Sequence, residues 1–305
     1  MKYVYLIVAI IGIAIISLFT FKEDLIYYNY AKYTVKDENV SNNYYYSDNF
    51  MYLDNYEDIE IHNKNELYNT IYYIVNSGIS YAERYFSIDY TDYEEDYSNL
   101  FSDNDKLNII NNFVHPYNTF SSIEASLKGY VITIRVKYND TYNEEVRNKI
   151  DTKIEEIISN NITTDMSDRD KVKVLHDYII NNTKYDQNFC IEEDKSKCTT
   201  TSNYKADTAY GVLFEGYGIC SGYTDLMSIM LYKLGIVNYR VSNESHTWNS
   251  VKLDNKWYIL DVTWDDPISE DKDILTDTYF LITPEEDLKL EESHTYNKEI
   301  FLELS

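Results

Sequence analysis

The stretch "HTWNSVKLDNKWYILDVTWDDP", residues 246–267, constrains the fold more than any other part of the chain. Two apolar runs flank Asp254 and Asn255, and a two-residue turn of this kind joins antiparallel strands. Strands are therefore expected over 246–253 and 256–264. Leu253 then faces Lys256, His246 falls opposite Thr263, and Trp248 falls opposite Asp261. Directly opposed residues share a face, and so do residues two apart. His246, Trp248, Asp261 and Thr263 thus project from one side. His246 and Asp261 become diagonal neighbours, about 7–8 Å apart at the backbone and nearer at their side-chain ends. A slip of one residue would send them to opposite faces, so the turn decides the pairing. An aspartate flanked by Leu260 and Val262 needs a partner if it is buried. Histidine is the obvious one, and the pairing would fix its tautomer and stabilise an imidazolium.

Such a base needs a nucleophile. "YGICSGYTDL", residues 217–226, supplies Cys220, one of 3 cysteines in the chain. Tyr223, Leu226, Met227, Met230, Leu231 and Leu234 follow at helical spacing, and Gly235 supplies the stop. Cys220 is therefore expected in the first turn of a helix, where unsatisfied N–H groups and the helix dipole favour an anion such as a thiolate. Gly218 and Gly222 would let a substrate backbone approach closely. Taken alone, the stretch fits equally a small buried residue plugging a helix–sheet contact. Cys190 and Cys198 lie close enough in sequence to close a disulfide loop, which would contribute roughly 2–3 kcal/mol. Zinc is the weaker reading, since only Cys220 and scattered histidines could complete a site. If the pair forms, Cys220 is left over.

The remaining chain bounds the setting. A net charge of −25 argues against a nucleic-acid surface and fits a solvated acidic one. The 34 tyrosines are dispersed and support no particular platform. Residues 3–21, "YVYLIVAIIGIAIISLFTF", carry no charge, and a helix over them rises about 28 Å, enough for a bilayer core. An uncleaved signal anchor over 1–22, N-terminus inside, is the expectation, with the rest of the chain exported. Residues 23–60 read as a tether and 61–164 as a small α/β region. In that region Ser102 opens a capping box before Leu107, Ile110 and Val114, "GYVITIRVKY" alternates as a strand, and Val146 to Ile158 mark an amphipathic helix. A second capping box at Ser167 opens a helix whose apolar face is Val172, Leu175, His176, Ile179 and Ile180; His176 reads as a hydrogen-bonded core residue.

"AYGVLFEGYGICSGYTDLMSIMLYKLGI" followed by the hairpin resembles the transglutaminase-like superfamily, in the form found in exported proteins of Gram-positive bacteria. "KVLHDYIINNTKYD" resembles the helix that precedes the cysteine loop in that family. The likeness covers residues about 165 to 267. It implies an α+β, papain-like core over 165–305, in which the cysteine helix packs on an antiparallel sheet. It also implies Cys220 as nucleophile, His246 as general base and acid, and Asp261 as orienting carboxylate. A thioester formed from a glutamine carboxamide or peptide amide would pass to an amine or to water. Substrates would be surface proteins or cell-wall peptides. The Cys220 N–H would hold the oxyanion with a second donor, for which Tyr185, Tyr210 and Tyr217 are candidates. A non-catalytic peptide-binding module on the same fold is the alternative; the intact Cys, His and Asp set weighs against it. No twelve-residue calcium loop is present, and no metal or cofactor is expected. His294 is a rival base, but no strand or helix argument brings it to Cys220.

Overall fold

Gly129 takes φ 55°, and this turn sends the chain from β3 (Phe120–Lys128) into β4 (Val131–Tyr138). Along β4, Ile132, Ile134 and Val136 are buried while Arg135 and Lys137 are exposed, as the alternation requires. The computed structural model describes residues 12, 25–26, 28–35, 43–190, 198, 201–268 and 276–305. The apolar run over 3–21 lies outside the described residues apart from Gly12. Among the described residues, no helix is long and apolar enough to cross a membrane.

The chain divides into two units. The first includes residues 53–110 and 120–138. In it β1 (Glu60–Ile61), β2 (Tyr81–Phe86), β4 and β3 form a four-stranded sheet in that order. Helix α1 (Lys64–Asn76) ends where the Tyr138 hydroxyl meets the carbonyls of Ile74 and Val75 in its last turn and of Ile79 just beyond it. The capping box expected at Ser102 is displaced. Ser102 closes α2 (Tyr93–Phe101), and Asp103 caps the short α3 (Asn104–Asn108) by accepting from the Lys106 N–H.

The second unit comprises residues 46–52, 111–119 and 139–305. Helix α4 (Glu144–Asn161), placed by the sequence reading with the preceding region, lies in this unit. The cause is polar as well as apolar: Tyr117 donates to Asp151, and Lys233 pairs with Asp151 and Glu155. Within 23–60, read from the sequence as a tether or an irregular arm, some side chains are packed. Tyr46, Phe50 and Leu53 are buried, and Phe50 joins Phe113, Tyr239 and Trp257 in an aromatic cluster with ring separations of 5.0–6.3 Å. Helix α5 (Asp168–Asn182) is capped by Ser167 and buries the face expected of it, His176 included.

Its end leads to β5 (Lys184–Tyr185), which runs parallel to β6 (Tyr217–Gly218). Between them, Cys190 and Cys198 are joined in a disulfide with Cα atoms 5.7 Å apart. Cys198→Ser is expected to lower the melting temperature under oxidising conditions only, in line with the roughly 2–3 kcal/mol of a short closed loop; melting curves with and without reductant check it. Helix α6 (Cys220–Lys233) then packs on an antiparallel sheet ordered β7 (Asn238–Ser242), β8 (Thr247–Leu253), β9 (Lys256–Leu260). Asn249 fastens helix to sheet, donating to the Thr224 carbonyl and the Ser228 hydroxyl. Last comes the short α7 (Pro284–Asp287).

Candidate active site

The hairpin forms in the expected register. Leu253 pairs with Lys256, and the ladder runs to Asn249 opposite Leu260. Asp254 and Asn255 take φ 50° and 60°, the left-handed pair that a tight hairpin turn needs. The ladder stops one residue before Asp261, whose N–H donates instead to the Tyr279 carbonyl at 3.1 Å. His246 likewise precedes the start of β8. Both groups therefore sit at the frayed end of the hairpin, freed from the pleat, and close to 2.6 Å between His246 Nε2 and Asp261 Oδ2. The expected convergence is met by leaving the strands rather than by staying on them.

Asp261 is 1% exposed and takes four donors. Oδ1 accepts from the Thr263 and Trp264 N–H groups at 2.9 and 3.2 Å. Oδ2 accepts from His246 and, at 3.1 Å, from His294 Nε2. Burial alone would raise its pKa, but the hydrogen bonds and the charges of the two rings outweigh it and hold the carboxyl down to about 2. Burial likewise works against a charged His246. Its hydrogen bonds with Asp261 and Cys220, and their charges, prevail and push the ring up to about 9. Nε2 faces Asp261, which leaves Nδ1 for the thiol. The ring lies parallel to Trp264, with centroids 4.9 Å apart and planes 5° apart.

Cys220 is the free cysteine among the described residues, half-buried, and the first residue of α6. Ile219 at the cap offers no side-chain acceptor to the first turn, so the dipole end is left to the thiol and whatever binds it. The glycines around Cys220 serve the protein rather than a substrate. A Cβ on Gly222 would sit 2.3 Å from the Ala206 carbonyl oxygen, and one on Gly218 2.6 Å from the Tyr223 ring. The loop at 205–208 thus presses against the cysteine turn, and the Ile219 N–H donates to the same Ala206 carbonyl at 2.8 Å.

Of the three tyrosines considered for the oxyanion, Tyr217 is stacked on Tyr204 at 4.0 Å, and Tyr210 lies against Phe214 at 4.8 Å with the rings tilted. Tyr185 is held beside Gly218 by the β5–β6 pairing. Burial, and then the charges of Cys220 and Asp186, raise its pKa. His176 is buried, bonding Asp265 through Nε2 at 3.1 Å and Asp177 through Nδ1 at 3.0 Å, which ties α5 to the turn after Asp261.

His294 is the residue that sequence reasoning set aside. It does not reach the thiol; it reaches the carboxylate. Nothing periodic marks it; the signal that could have led there is the Thr283-Pro284-Glu285-Glu286 capping box beside it, which the sequence reading did not use. The donor atoms of His246, Asp261 and His294 lie within 4.8 Å of one another, the one such set among the described residues that could hold a metal ion. Their spacing is that of hydrogen bonds. At 2.6 Å, His246 Nε2 and Asp261 Oδ2 are closer than two donors on one tetrahedral zinc, about 3.3 Å for bonds near 2.0 Å.

Residues 156–262 match the sequence profile of the transglutaminase-like superfamily. The segment holds Cys220, His246 and Asp261, and the helix, loop and sheet arrangement around them agrees with a transglutaminase-like core. A solved structure described as "Crystal structure of a TGase" shares 18% identity, covering 59% of this chain with a TM-score of 0.35. The chain spans about half of that structure's own length, 48%. No curated protein matches the chain. His294 and Asp287 fall outside the transglutaminase-like segment.

Proposed function

We propose that the second unit is a cysteine acyl-transfer enzyme with Cys220 as nucleophile, His246 as proton carrier and Asp261 as the carboxylate that orients the ring. The observation that carries this is the part-buried bond from His246 Nε2 to Asp261, with His246 also hydrogen-bonded to Cys220, the free thiol at a helix N-terminus. Because the ring holds its proton to about 9, His246 enters the reaction charged, and the form of a cysteine that attacks is the thiolate. Sulfur attacks the amide carbonyl carbon, and the carbonyl electron pair moves to oxygen. The Cys220 N–H would hold that oxyanion together with a second donor, for which Tyr185 is the candidate. As it collapses, the C–N bond breaks and His246 gives its proton to the leaving nitrogen, releasing ammonia or an amine and leaving a thioester. His246, now neutral, takes a proton from an incoming amine or water, whose attack restores the thiolate and the imidazolium.

The substrate is read as a glutamine carboxamide or a peptide amide on surface protein or wall peptide. The setting is read as extracellular, anchored in the cell membrane through residues 3–21. The apolar run and the Cys190–Cys198 disulfide, a bond of oxidising compartments, support that setting. The test is to incubate the protein with glutamine-containing and wall-type peptides plus a primary amine and to read masses. A gain of amine less ammonia shows transfer, and a gain of water less ammonia or cleavage fragments shows hydrolysis. Trapping with hydroxylamine should return a hydroxamate of the acyl group. Unchanged masses across the peptide set, with no hydroxamate, would sink the proposal.

A further inference from the structure

We infer that His294, held between Asp261 and Asp287, is a positioning residue: a fixed buried cation that keeps Asp261 an acceptor and limits how tightly His246 holds its proton. The inference rests on the acyl-transfer reading of Cys220, His246 and Asp261.

Both nitrogens of His294 meet carboxylate oxygens. Nδ1 lies 2.6 Å from Asp287 Oδ1, and Nε2 lies 3.1 Å from Asp261 Oδ2. An ionised carboxylate only accepts, so each contact needs an N–H, and a ring with two N–H groups is an imidazolium. The side chains of His294, Asp261 and Asp287 are 0%, 1% and 2% exposed, so water cannot substitute for either partner. The ring cannot turn away. It lies against Trp264 at 4.2 Å and Trp248 at 4.4 Å, with Tyr279 edge-on at 5.4 Å, and aromatic faces favour a cation. Asp287 is fixed in turn, its Oδ2 accepting the His294 N–H at 2.9 Å, on a helical turn closed by the Thr283 and Glu286 capping box. Burial opposes the His294 charge, but the bonds to both carboxylates overcome it and raise its pKa.

The result is a row of alternating charge: His246, Asp261, His294, Asp287. Two cations draw on one oxygen of Asp261. Other ionisable groups facing the row are Cys220 at His246, Tyr279 beside His294, Tyr296 near Asp287, and Asp265, which accepts from the Tyr279 N–H. Both tyrosines are raised above their ordinary value, chiefly by burial and then by nearby carboxylates, and stay neutral. Removing the His294 charge should therefore give the whole of the Asp261 charge to His246, and His246 should hold its proton more tightly. A residue that only packed the site would act in the opposite sense, because loosening would lengthen the His246–Asp261 bond and release the proton earlier.

The experiment is histidine-selective ¹⁵N NMR on the full-length protein across pH 5–10, for the wild type, His294→Gln and Asp287→Asn. His294 is expected to show two protonated nitrogens at neutral pH. The His246 midpoint is expected to rise by about one unit in either variant, the size of effect a charge within about 4–6 Å produces. One bare nitrogen on His294 at neutral pH would overturn the inference, as would a His246 midpoint that stays or falls in the variants. The wild-type measurement stands even if a variant fails to fold. The readout needs no turnover, so a protein that shows both signals yet transfers no acyl group would overturn the acyl-transfer reading and leave this charge arrangement standing.

Discussion

Asp261→Asn is expected to lower kcat/KM at pH 8 by on the order of 10³-fold, and Cys220→Ala to remove acyl transfer altogether. The first loss has a specific cause. An asparagine side chain keeps one acceptor for the Thr263 and Trp264 N–H groups, so the turn after β9 should survive. At the other oxygen it substitutes an NH₂ where two ring N–H groups now point. Neither ring can then keep its proton there. For His246 the Asp261 contribution to its raised pKa is lost while burial still opposes the charge and the Cys220 contribution remains, so its pKa should fall. The alkaline limb of the pH profile should therefore move to lower pH. Stability should follow the same signs. Asp261, lowered to about 2, contributes stability above about pH 4 that is lost as pH falls toward 2. His246, raised, contributes stability that is present below about pH 6.5 and lost as pH rises through about 9. These are two ends of one bond, so the variant should lose both pH dependences together. Rate profiles and melting temperatures from pH 3 to 10 check it. A variant with a normal alkaline limb would remove Asp261 from the mechanism.

What could be read from the sequence was local. The buried face of α5, its Ser167 cap and the alternation along β4 are set by contacts within a few residues, and each appears as expected. The hairpin register could be read because two turn residues fix it, and with it the pairing of His246 and Asp261. Features that depend on distant chain were not legible. Phe50 and Phe113 look like any aromatic in a tyrosine-rich chain until the fold brings them onto Tyr239. His294 comes 33 positions after Asp261 with no period linking them, and its second carboxylate, Asp287, sits on a four-residue turn whose capping box the sequence reading did not use. The glycines were recognised as places of close approach, but the sequence reading assigned that approach to a substrate backbone. The fold supplies the answer in the Ala206 carbonyl and the Tyr223 ring.

Gly222→Ala is accordingly expected to damage the protein where helix propensity says it should help. In an open helix, alanine would be favoured over glycine by about 1 kcal/mol. At position 222 the new Cβ would lie 2.3 Å from the Ala206 carbonyl oxygen, 2.9 Å from Val212 Cγ2 and 3.0 Å from the Thr208 carbonyl oxygen. Two of these are backbone atoms and cannot swing aside like a side-chain tip. The 205–208 loop must move, and the Ala206 carbonyl must release the Ile219 N–H that it holds at the mouth of α6. Overpacking of this kind costs about 1–3 kcal/mol net, so a melting temperature lower by roughly 3–10 °C is expected. Because the displaced loop borders the first turn of α6, the thiol should also shift against His246, and kcat/KM should fall at temperatures where the variant is still folded. Gly235→Ala is the matched comparison. Its φ of 70° makes alanine strained there too, but a Cβ would meet nothing within 4 Å, so it should cost stability without touching turnover. Equal rates for the two variants at 20 °C would show that the loop does not position the nucleophile.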